Sequence, residues 1–286
     1  MPTAVTFEDE GLEKWSEDLV FEVTAERVAE YAAATNDPIE AHRDGTVAPP
    51  LFAVVPTFMS MAPAALEVAP VELLMKLVHG EQDFHFHRPI RPGDVLTCKA
   101  KATGYASLST GSTVVIYAET RDSGGELVNE QWITAFFRGV DAGTTVGELA
   151  PGHALDAAIT ATAPVAEVTQ HVDEDQTFRY SPASGDPMPI HLDDEIARMS
   201  GLPGIINHGL CTMAFTSWAA LEQFAGGDVA RLRRLAVRFT KPVLPGQDLT
   251  TRFWDLPSND GERAVGFETS VGDDLVLRDG LAVITD

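Results

Sequence analysis

The sequence predicts an α+β fold built from two similar domains, each an antiparallel sheet that curls around one long helix. Three observations predict it: the chain repeats itself once, each half contains a long apolar segment, and strand-like segments follow that apolar segment in each half. We expect the two sheets to lie side by side, so that the chain forms an internal pseudo-dimer.

The repeat consists of two blocks that recur in the same order. In the upstream block, Tyr31, Asp37, Pro38 and His42 align with Tyr180, Asp186, Pro187 and His191 at an offset of 149 residues. In the downstream block, Phe86, Pro89, Pro92 and Gly93 align with Phe239, Pro242, Pro245 and Gly246 at an offset of 153 residues. Because the two offsets differ by only four residues, we infer a duplicated domain.

The boundary between the two domains is expected in residues 139–167. This segment is rich in Ala, Thr, Gly and Pro and contains no aromatic residue, as is typical of a linker. We therefore predict an N-terminal domain of residues 1–140, a linker of residues 141–168 and a C-terminal domain of residues 169–286.

The elements of each half follow from capping residues and apolar patterns. Thr24 can cap a helix over residues 25–34, whose apolar side chains then share one face. The apolar segments 51–68 and 210–224 are each long enough for a buried helix. The predicted strands are residues 83–88, 95–103, 112–121 and 127–138 in the first half, and residues 235–240, 249–254, 264–270 and 275–284 in the second.

Charge and cysteine usage limit the partners of the chain. Its 20 Lys and Arg residues stand against 43 Asp and Glu residues, and the net charge of −23 repels phosphate backbones and anionic lipid. We therefore expect no nucleic acid and no membrane as partners. No apolar run approaches the ~18 residues of a membrane span, and residues 1–10 lack the apolar core of a signal peptide. Cys98 and Cys211 have no CxxC partner and are expected as buried thiols in a cytoplasmic protein.

The densest group of chemically competent residues lies in the second half. Asp186 and His191 are five residues apart, with prolines between them that hold the segment extended, and Gly185 permits a sharp turn before the carboxylate. A carboxylate and an imidazole on one rigid loop can share a water, as general acid–base catalysis requires. Gly209 starts the second apolar segment, so its amide is expected in the first turn of a helix, where N–H groups favour a developing oxyanion.

These residues resemble the motif of the MaoC-like, or (R)-specific enoyl-CoA hydratase, family. The matching residues are Tyr180, Ser184, Gly185, Asp186, Pro189, Ile190, His191, His208, Gly209 and Leu210. The later block of Phe239, Pro242, Val243, Pro245 and Gly246 matches as well. The match covers most of residues 175–256, and the first half resembles the degenerate N-terminal domain of the family.

The resemblance implies a double hotdog fold and the reversible syn-addition of water to a trans-2-enoyl-CoA, which gives a (3R)-3-hydroxyacyl-CoA. It implies that Asp186 and His191 handle the water and the Cα proton, with the roles of acid and base left open. The Gly209 N–H is expected to stabilise the enolate-like thioester oxygen. The CoA thioester is then the substrate, and no metal or redox cofactor is expected. The expected substrate-binding neighbours are Ser184, Asn207 and His208.

Two departures from the family pattern bear on activity. Met188 stands where the family has an Asn that helps to orient the water, and Asn207 is a candidate to supply an amide instead. In the first half, Asp37 and His42 keep the five-residue spacing, but Pro50, which has no amide proton, stands near the place of the oxyanion-hole glycine. We therefore interpret the first half as a vestigial domain that shapes the acyl pocket.

A basic cluster on this acidic chain is the candidate binding site for the phosphates of CoA. Arg231, Arg233 and Arg234 lie within four residues, and guanidinium groups bind phosphate in a forked geometry. Lys241, in the same region, is a second candidate. The alternative, an exposed strand start without a ligand, fits these residues equally well.

Two other functions stay open at this point. A hotdog thioesterase would aim water at the carbonyl carbon and release free CoA. A non-catalytic acyl-binding subunit of a dehydratase complex would carry Met188 as a sign of lost activity, although Asp186 and His191 are still together. The expected partner is an acyl-CoA of unspecified chain length, and the expected assembly is a homodimer of the pseudo-dimers.

Overall fold

The computed structural model describes residues 2–286, with the side chains of all of them except Leu74 and Met75. These residues divide into two compact units. The first unit contains residues 2–21, Pro56–His85 and Val95–Gly152. The second contains Glu22–Val55, Phe86–Asp94 and His153–Asp286. Part of the first half of the sequence therefore packs in the second unit, and the domain boundaries inferred from the repeat stay a prediction.

Of the seven α-helices in residues 2–286, three lie where the predicted cap and the two apolar segments place them, and the other four were not predicted. The seven helices are Ala25–Ala34 (α1), Glu40–Arg43 (α2), Val54–Leu66 (α3), Ala157–Thr160 (α4), Gln176–Ser184 (α5), Asp194–Met199 (α6) and Gly209–Ala220 (α7). The Oγ1 of Thr24 accepts a hydrogen bond from the Arg27 N–H at 3.2 Å, which confirms the predicted cap of α1. The first apolar segment starts as a 3₁₀ turn, Pro50–Ala53, and continues as α3.

The first unit is an antiparallel sheet packed on the apolar face of α3. The strands of this unit are Thr3–Ala4 (β1), Leu19–Glu22 (β2), Leu77–Phe86 (β3), Val95–Leu108 (β4), Gly111–Arg121 (β5), Leu127–Arg138 (β6), Val140–Asp141 (β7) and Thr145–Gly147 (β8). The short strands β1 and β7 pair with each other in parallel and form a separate two-stranded sheet. The main strands follow the order β2–β4–β5–β6–β3. Alternate side chains of β5 and β6, among them Val114 and Ile133, are buried in one core with Ala64 and Ala65 of α3.

The second unit encloses α7 against a second antiparallel sheet. Its strands are Ala166–His171 (β9), Leu232–Phe239 (β10), Asp248–Leu256 (β11), Glu262–Val271 (β12) and Asp274–Thr285 (β13), in the order β10–β13–β12–β11–β9. Every residue of α7 after Gly209 is buried, which accounts for a helix that is apolar nearly all round. The edge strand β9 was not predicted, because most of its side chains are polar or small and only Gln170 is buried.

Both cysteine thiols are buried and free, as the sequence predicts. Burial raises the pKa of Cys98 to about 11 and that of Cys211 to about 12, so both are protonated at neutral pH. None of the helices in residues 2–286 combines the length and the apolar character that crossing a bilayer requires.

Candidate active site

The loop that carries Asp186 begins where α5 ends. Gly185 has a φ of 82°, a left-handed conformation that side chains disfavour, and it turns the chain out of the helix. The peptide of Asp186 is held on both sides: its N–H donates to Ser184 Oγ at 3.3 Å, and its carbonyl accepts from Ser181 Oγ at 2.7 Å. The Met188 N–H donates to Asp186 Oδ1 at 3.0 Å. Ser184, predicted to bind substrate, is buried and bonds within this loop.

His191 ends a short 3₁₀ turn, Pro189–His191. Its Nδ1 lies 2.8 Å from the Ile206 carbonyl, and since a carbonyl can only accept, Nδ1 carries the proton. The neutral ring then has an open lone pair on Nε2. A carboxylate oxygen of Asp186 and one ring nitrogen each of His191 and His208 lie within 4.8 Å of one another. The structure thus brings together the carboxylate and the imidazole that the sequence predicts.

Burial shifts both members of this pair toward their neutral forms. Burial raises the pKa of Asp186 above its ordinary value, although the Met188 N–H opposes the shift. Burial lowers the pKa of His191 below 6.5, against the Ile206 carbonyl and the Asp186 charge. Neighbouring titratable groups whose pKa values burial displaces from their ordinary values are typical of functional sites.

Gly209 is the first residue of α7, and its amide belongs to the first turn. Such amides have no carbonyl four residues back within the helix, and the helix dipole adds positive potential there. A Cβ at this position would lie 3.2 Å from the ring of Phe239, so the end of β10 packs directly against the start of α7. The Gly209 N–H therefore lies in the first turn of a helix, as the sequence predicts, and its role as oxyanion donor stays a prediction.

The neighbouring Asn207 and His208 are both buried. Asn207 donates its side-chain amide to Thr212 Oγ1 at 3.1 Å, and its backbone N–H donates to the Val243 carbonyl at 2.7 Å. Its Oδ1 is buried and has no hydrogen-bond partner within residues 2–286. His208 stacks on His191, with ring centroids 3.8 Å apart. His208 thus contacts the Asp–His pair directly, whereas the bonds of Asn207 go to α7 and to the Val243 carbonyl.

Asp186, His191 and His208 also form a group of the residue types that bind metal ions. Zinc binds imidazole nitrogen at about 2.0–2.1 Å, which places tetrahedral ligand atoms about 3.4 Å apart. The atoms of Asp186, His191 and His208 are separated by up to 4.8 Å, and His191 Nδ1 already donates to a carbonyl. The donor types suit a divalent cation, but the spacing would have to contract. The expectation that no metal is needed stays a prediction.

Comparison with known proteins gives this arrangement a family. A family model described as "MaoC like domain" matches residues 156–275, and a second, "FAS1-like, dehydratase domain region", matches residues 13–131. A protein of Dictyostelium discoideum named "Probable enoyl-CoA hydratase 2" is 30% identical over 213 residues, which cover 73% of this chain and 70% of that protein. The chain belongs to the MaoC-like dehydratase family.

Solved structures confirm the double hotdog fold. A MaoC-like dehydratase from Phytophthora capsici superposes with a TM-score of 0.84 and 25% identity, over 97% of this chain and 98% of that one. A Mycobacterium tuberculosis protein described as a double hotdog fold gives a TM-score of 0.58 at 15% identity, over 94% and 96% of the two chains.

One relative is much longer than this MaoC-like chain. The peroxisomal multifunctional enzyme type 2 of Drosophila melanogaster is 30% identical over 238 residues, which cover 76% of this chain but 38% of that enzyme.

The first-half pair of the MaoC-like chain lies in the same unit as the candidate site. His42 Nδ1 and Asp37 Oδ2 are 2.7 Å apart, and both side chains are almost completely buried. The hydroxyls of Tyr31 and Tyr180, which are equivalent in the repeat, lie 3.2 Å apart. Two equivalent residues in contact are what a duplicated, pseudo-symmetric arrangement produces.

The basic cluster lies at the opposite end of β10 from Phe239, the residue that packs on Gly209. Arg231 donates its Nε to the Thr285 carbonyl at 2.7 Å, and Arg233 and Arg234 are half-buried at the start of β10. Phe239, which packs on Gly209, is five residues after Arg234, or about 17 Å along an extended strand. Lys241 follows Phe239 and forms an exposed ion pair with Asp274. Lys241 is therefore nearer to the candidate site than the arginines are.

Sequence reasoning missed two contributions to the site. The Ile206 carbonyl, which sets the tautomer of His191, belongs to a backbone group that no motif marks. The stacking of His208 on His191 was also missed, although the His-Gly pair at the start of an apolar helix was a signal that a second imidazole lies near the first.

Proposed function

We propose that this chain catalyses the reversible hydration of trans-2-enoyl-CoA to (3R)-3-hydroxyacyl-CoA. The observation that carries the proposal is the Asp186 carboxylate within 4.8 Å of a His191 ring nitrogen, beside the first turn of a buried helix. In the forward reaction an O–H bond of water breaks, a C–O bond forms at Cβ and a C–H bond forms at Cα. The Asp–His pair supports the proton transfers and the helix supports the charge.

The proton transfers follow from the state of the two groups. His191 is neutral at rest because burial lowers its pKa, and its Nε2 is the acceptor. A water held between His191 and Asp186 can give its proton to Nε2 while its oxygen bonds to Cβ. The protonated ring can then return that proton toward Cα. Both bonds form on the same face of the double bond, because the water and the returned proton both come from the side of the His191 ring.

Gly209 is the residue that we expect to stabilise the negative charge formed during the reaction. Addition of the water oxygen at Cβ moves charge through the conjugated system onto the thioester oxygen, which becomes enolate-like. We propose the Gly209 N–H as the donor to that oxygen, and a single such donor contributes about 100-fold or more to a rate. This chemistry consists of proton transfer and oxyanion stabilisation, and we propose that it proceeds without a metal or redox cofactor.

The decisive experiment follows the absorbance of the conjugated enoyl thioester over a panel of acyl chain lengths, with free thiol measured in parallel. Hydration lowers the absorbance and releases no thiol, whereas a thioesterase would release free CoA. A protein that binds acyl-CoA without turnover would change neither signal. Chiral analysis of the product tests the (3R) configuration. Loss of absorbance without thiol is the result we expect.

The setting of this activity is also proposed. We infer that the acyl group is carried by CoA, because the net charge of −23 disfavours an acidic carrier protein. We propose a cytoplasmic homodimer of pseudo-dimers. Light scattering of the purified chain tests the assembly, and fractionation of source cells tests the compartment, since one relative is named as peroxisomal.

A further inference from the structure

His208 lies between two other rings at the base of the candidate site. On one side its ring stacks on His191, with centroids 3.8 Å apart and planes inclined by 24°. On the other side Tyr180 contacts it at a centroid distance of 4.9 Å. His208 Nε2 faces the Asp186 carbonyl at a long 3.4 Å, and its Nδ1 is buried with no hydrogen-bond partner within residues 2–286. His208 thus contacts both members of the Asp–His pair.

The burial of His208 argues against direct contact with substrate. His208 is 1% exposed, whereas His191 is 8% exposed and Asp186 is half-buried. A ligand that enters from solvent therefore reaches Asp186 and His191 before it reaches His208. The His208 ring is covered by His191 on one face and by Tyr180 on the other. This placement suits a residue that supports the position of His191 and not one that binds substrate.

The backbone of His208 links the same ring to the oxyanion donor. His208 is the residue that precedes α7, and its side chain makes no capping bond with the helix. The next residue is Gly209, so the residue whose ring stacks on His191 is joined by one peptide bond to the proposed oxyanion donor. One side chain therefore connects the turn of His191, the peptide of Asp186 and the start of α7.

We propose that His208 is a positioning residue. It holds His191 and Asp186 at the spacing and orientation in which both contact one water, and it does not bind the substrate. This proposal rests on the hydratase function proposed above. The catalytic rate depends steeply on this geometry, because a misplacement of about 1 Å can lower the rate about 100-fold. The ring also has to stay uncharged beside a histidine that takes up a proton. Burial lowers the pKa of His208 to about 3, so it is neutral wherever His191 is active.

The kinetic test compares His208→Ala with His208→Phe. We expect His208→Ala to lower kcat at least tenfold while KM for the enoyl-CoA stays within threefold, because the loss falls on the transition state. His208→Phe, which restores a flat ring against His191, should recover part of that loss and also guards against a folding defect in the alanine variant. His171→Ala, at an exposed histidine of the same unit, is the control and should behave as wild type.

Two results would overturn the proposal. A rise in KM with kcat unchanged would make His208 a binding residue, and a kcat within twofold of wild type in both variants would leave it without a role. Wild-type chain that hydrates no enoyl thioester would instead refute the proposed function.

A second readout does not need activity. Histidine NMR of the free chain should show His191 titrating below pH 6.5 in the wild type and in His208→Phe, and closer to 6.5 in His208→Ala, where water reaches the ring. If the His191 pKa is the same in all three proteins and kcat falls only in proportion to the folded fraction, His208 is merely structural and the proposal fails.

Discussion

The two Asp–His pairs of this chain share a five-residue spacing but bond differently. Both carboxylates are held by a backbone N–H two residues later, from Ile39 at 2.9 Å and from Met188 at 3.0 Å. In the first pair the histidine bonds directly to its aspartate, at 2.7 Å. In the second pair His191 bonds to the Ile206 carbonyl instead. The difference therefore lies in the partner of the histidine and not in the turn around the aspartate.

This difference indicates which of the two Asp–His pairs can transfer protons to and from a water. In the first pair the imidazole and the carboxylate bond to each other at 2.7 Å and both are buried, so no water can enter between them, although His42 Nε2 is buried without a hydrogen-bond partner within residues 2–286. Where the histidine is anchored elsewhere, Nε2 and the carboxylate stay open toward a shared water. The segment that supplies the anchor, residues 192–207 with α6, has no counterpart of similar length between His42 and Pro50.

The largest effect on kcat is predicted for Asp186 and His191, the pair that stays open toward a shared water. We expect Asp186→Asn and His191→Ala each to lower kcat for hydration by at least about 100-fold, because each removes a proton-transfer group. The assay is the absorbance of a purified enoyl-CoA substrate, with circular dichroism to verify folding. Near-normal turnover by either folded variant would contradict the assignment of the site.

The second prediction isolates the oxyanion donor. Gly209→Pro removes the N–H at a helix position where proline is tolerated, and His208, with ψ of 134°, already has the backbone that a following proline requires. We expect a loss of about 100-fold in kcat relative to Gly209→Ala. The alanine variant is the matched control, because it adds the same Cβ against Phe239 and keeps the amide. Equal rates in the two variants would place the donor elsewhere.

The third prediction concerns the basic cluster. Replacing Arg233 and Arg234 with Ala should raise KM for CoA thioesters by about three- to tenfold and leave kcat nearly unchanged, as loss of uniform binding does. Pantetheine thioesters, which lack the adenosine phosphates, should be indifferent. Arg252→Ala, at an exposed arginine of the same unit, is the control. If CoA and pantetheine substrates suffer equally, Lys241 is the next residue to test.

The smallest effect on turnover is expected for Asp37 and His42, the pair whose side chains bond to each other. Asp37→Asn and His42→Ala should leave kcat within about threefold, which is a barrier change below roughly 0.7 kcal/mol. They should nevertheless lower the free energy of unfolding by about 1–3 kcal/mol, because each leaves a buried polar partner unsatisfied. Urea denaturation measures that loss. A kinetic defect as large as that of Asp186→Asn would mean that both pairs take part in catalysis, and would remove the distinction.

Much of the fold was predictable because its signals are local. Strand β6, Leu127–Arg138, matches its predicted bounds, and the cap at Thr24 is where the pattern places it. Other bounds were shorter than observed: β3 starts at Leu77, six residues before the predicted strand. The polar edge strand β9 was missed because it lacks an alternating apolar pattern, and its pairing with β11 comes from residues 77 or more positions away.

The sequence by itself determined the family, the spacing of Asp186 and His191, and the amide at the start of α7, since a motif, a proline-bound loop and a helix start are all properties of neighbouring residues. Only the tertiary structure decided which histidine is open and which is closed. That choice depends on the Ile206 carbonyl, which reaches His191 from 15 residues along the chain, and on the ring of His208, which stacks on it. A hydrogen bond forms with whichever partner lies within about 3 Å, and packing, not spacing along the chain, brings that partner there.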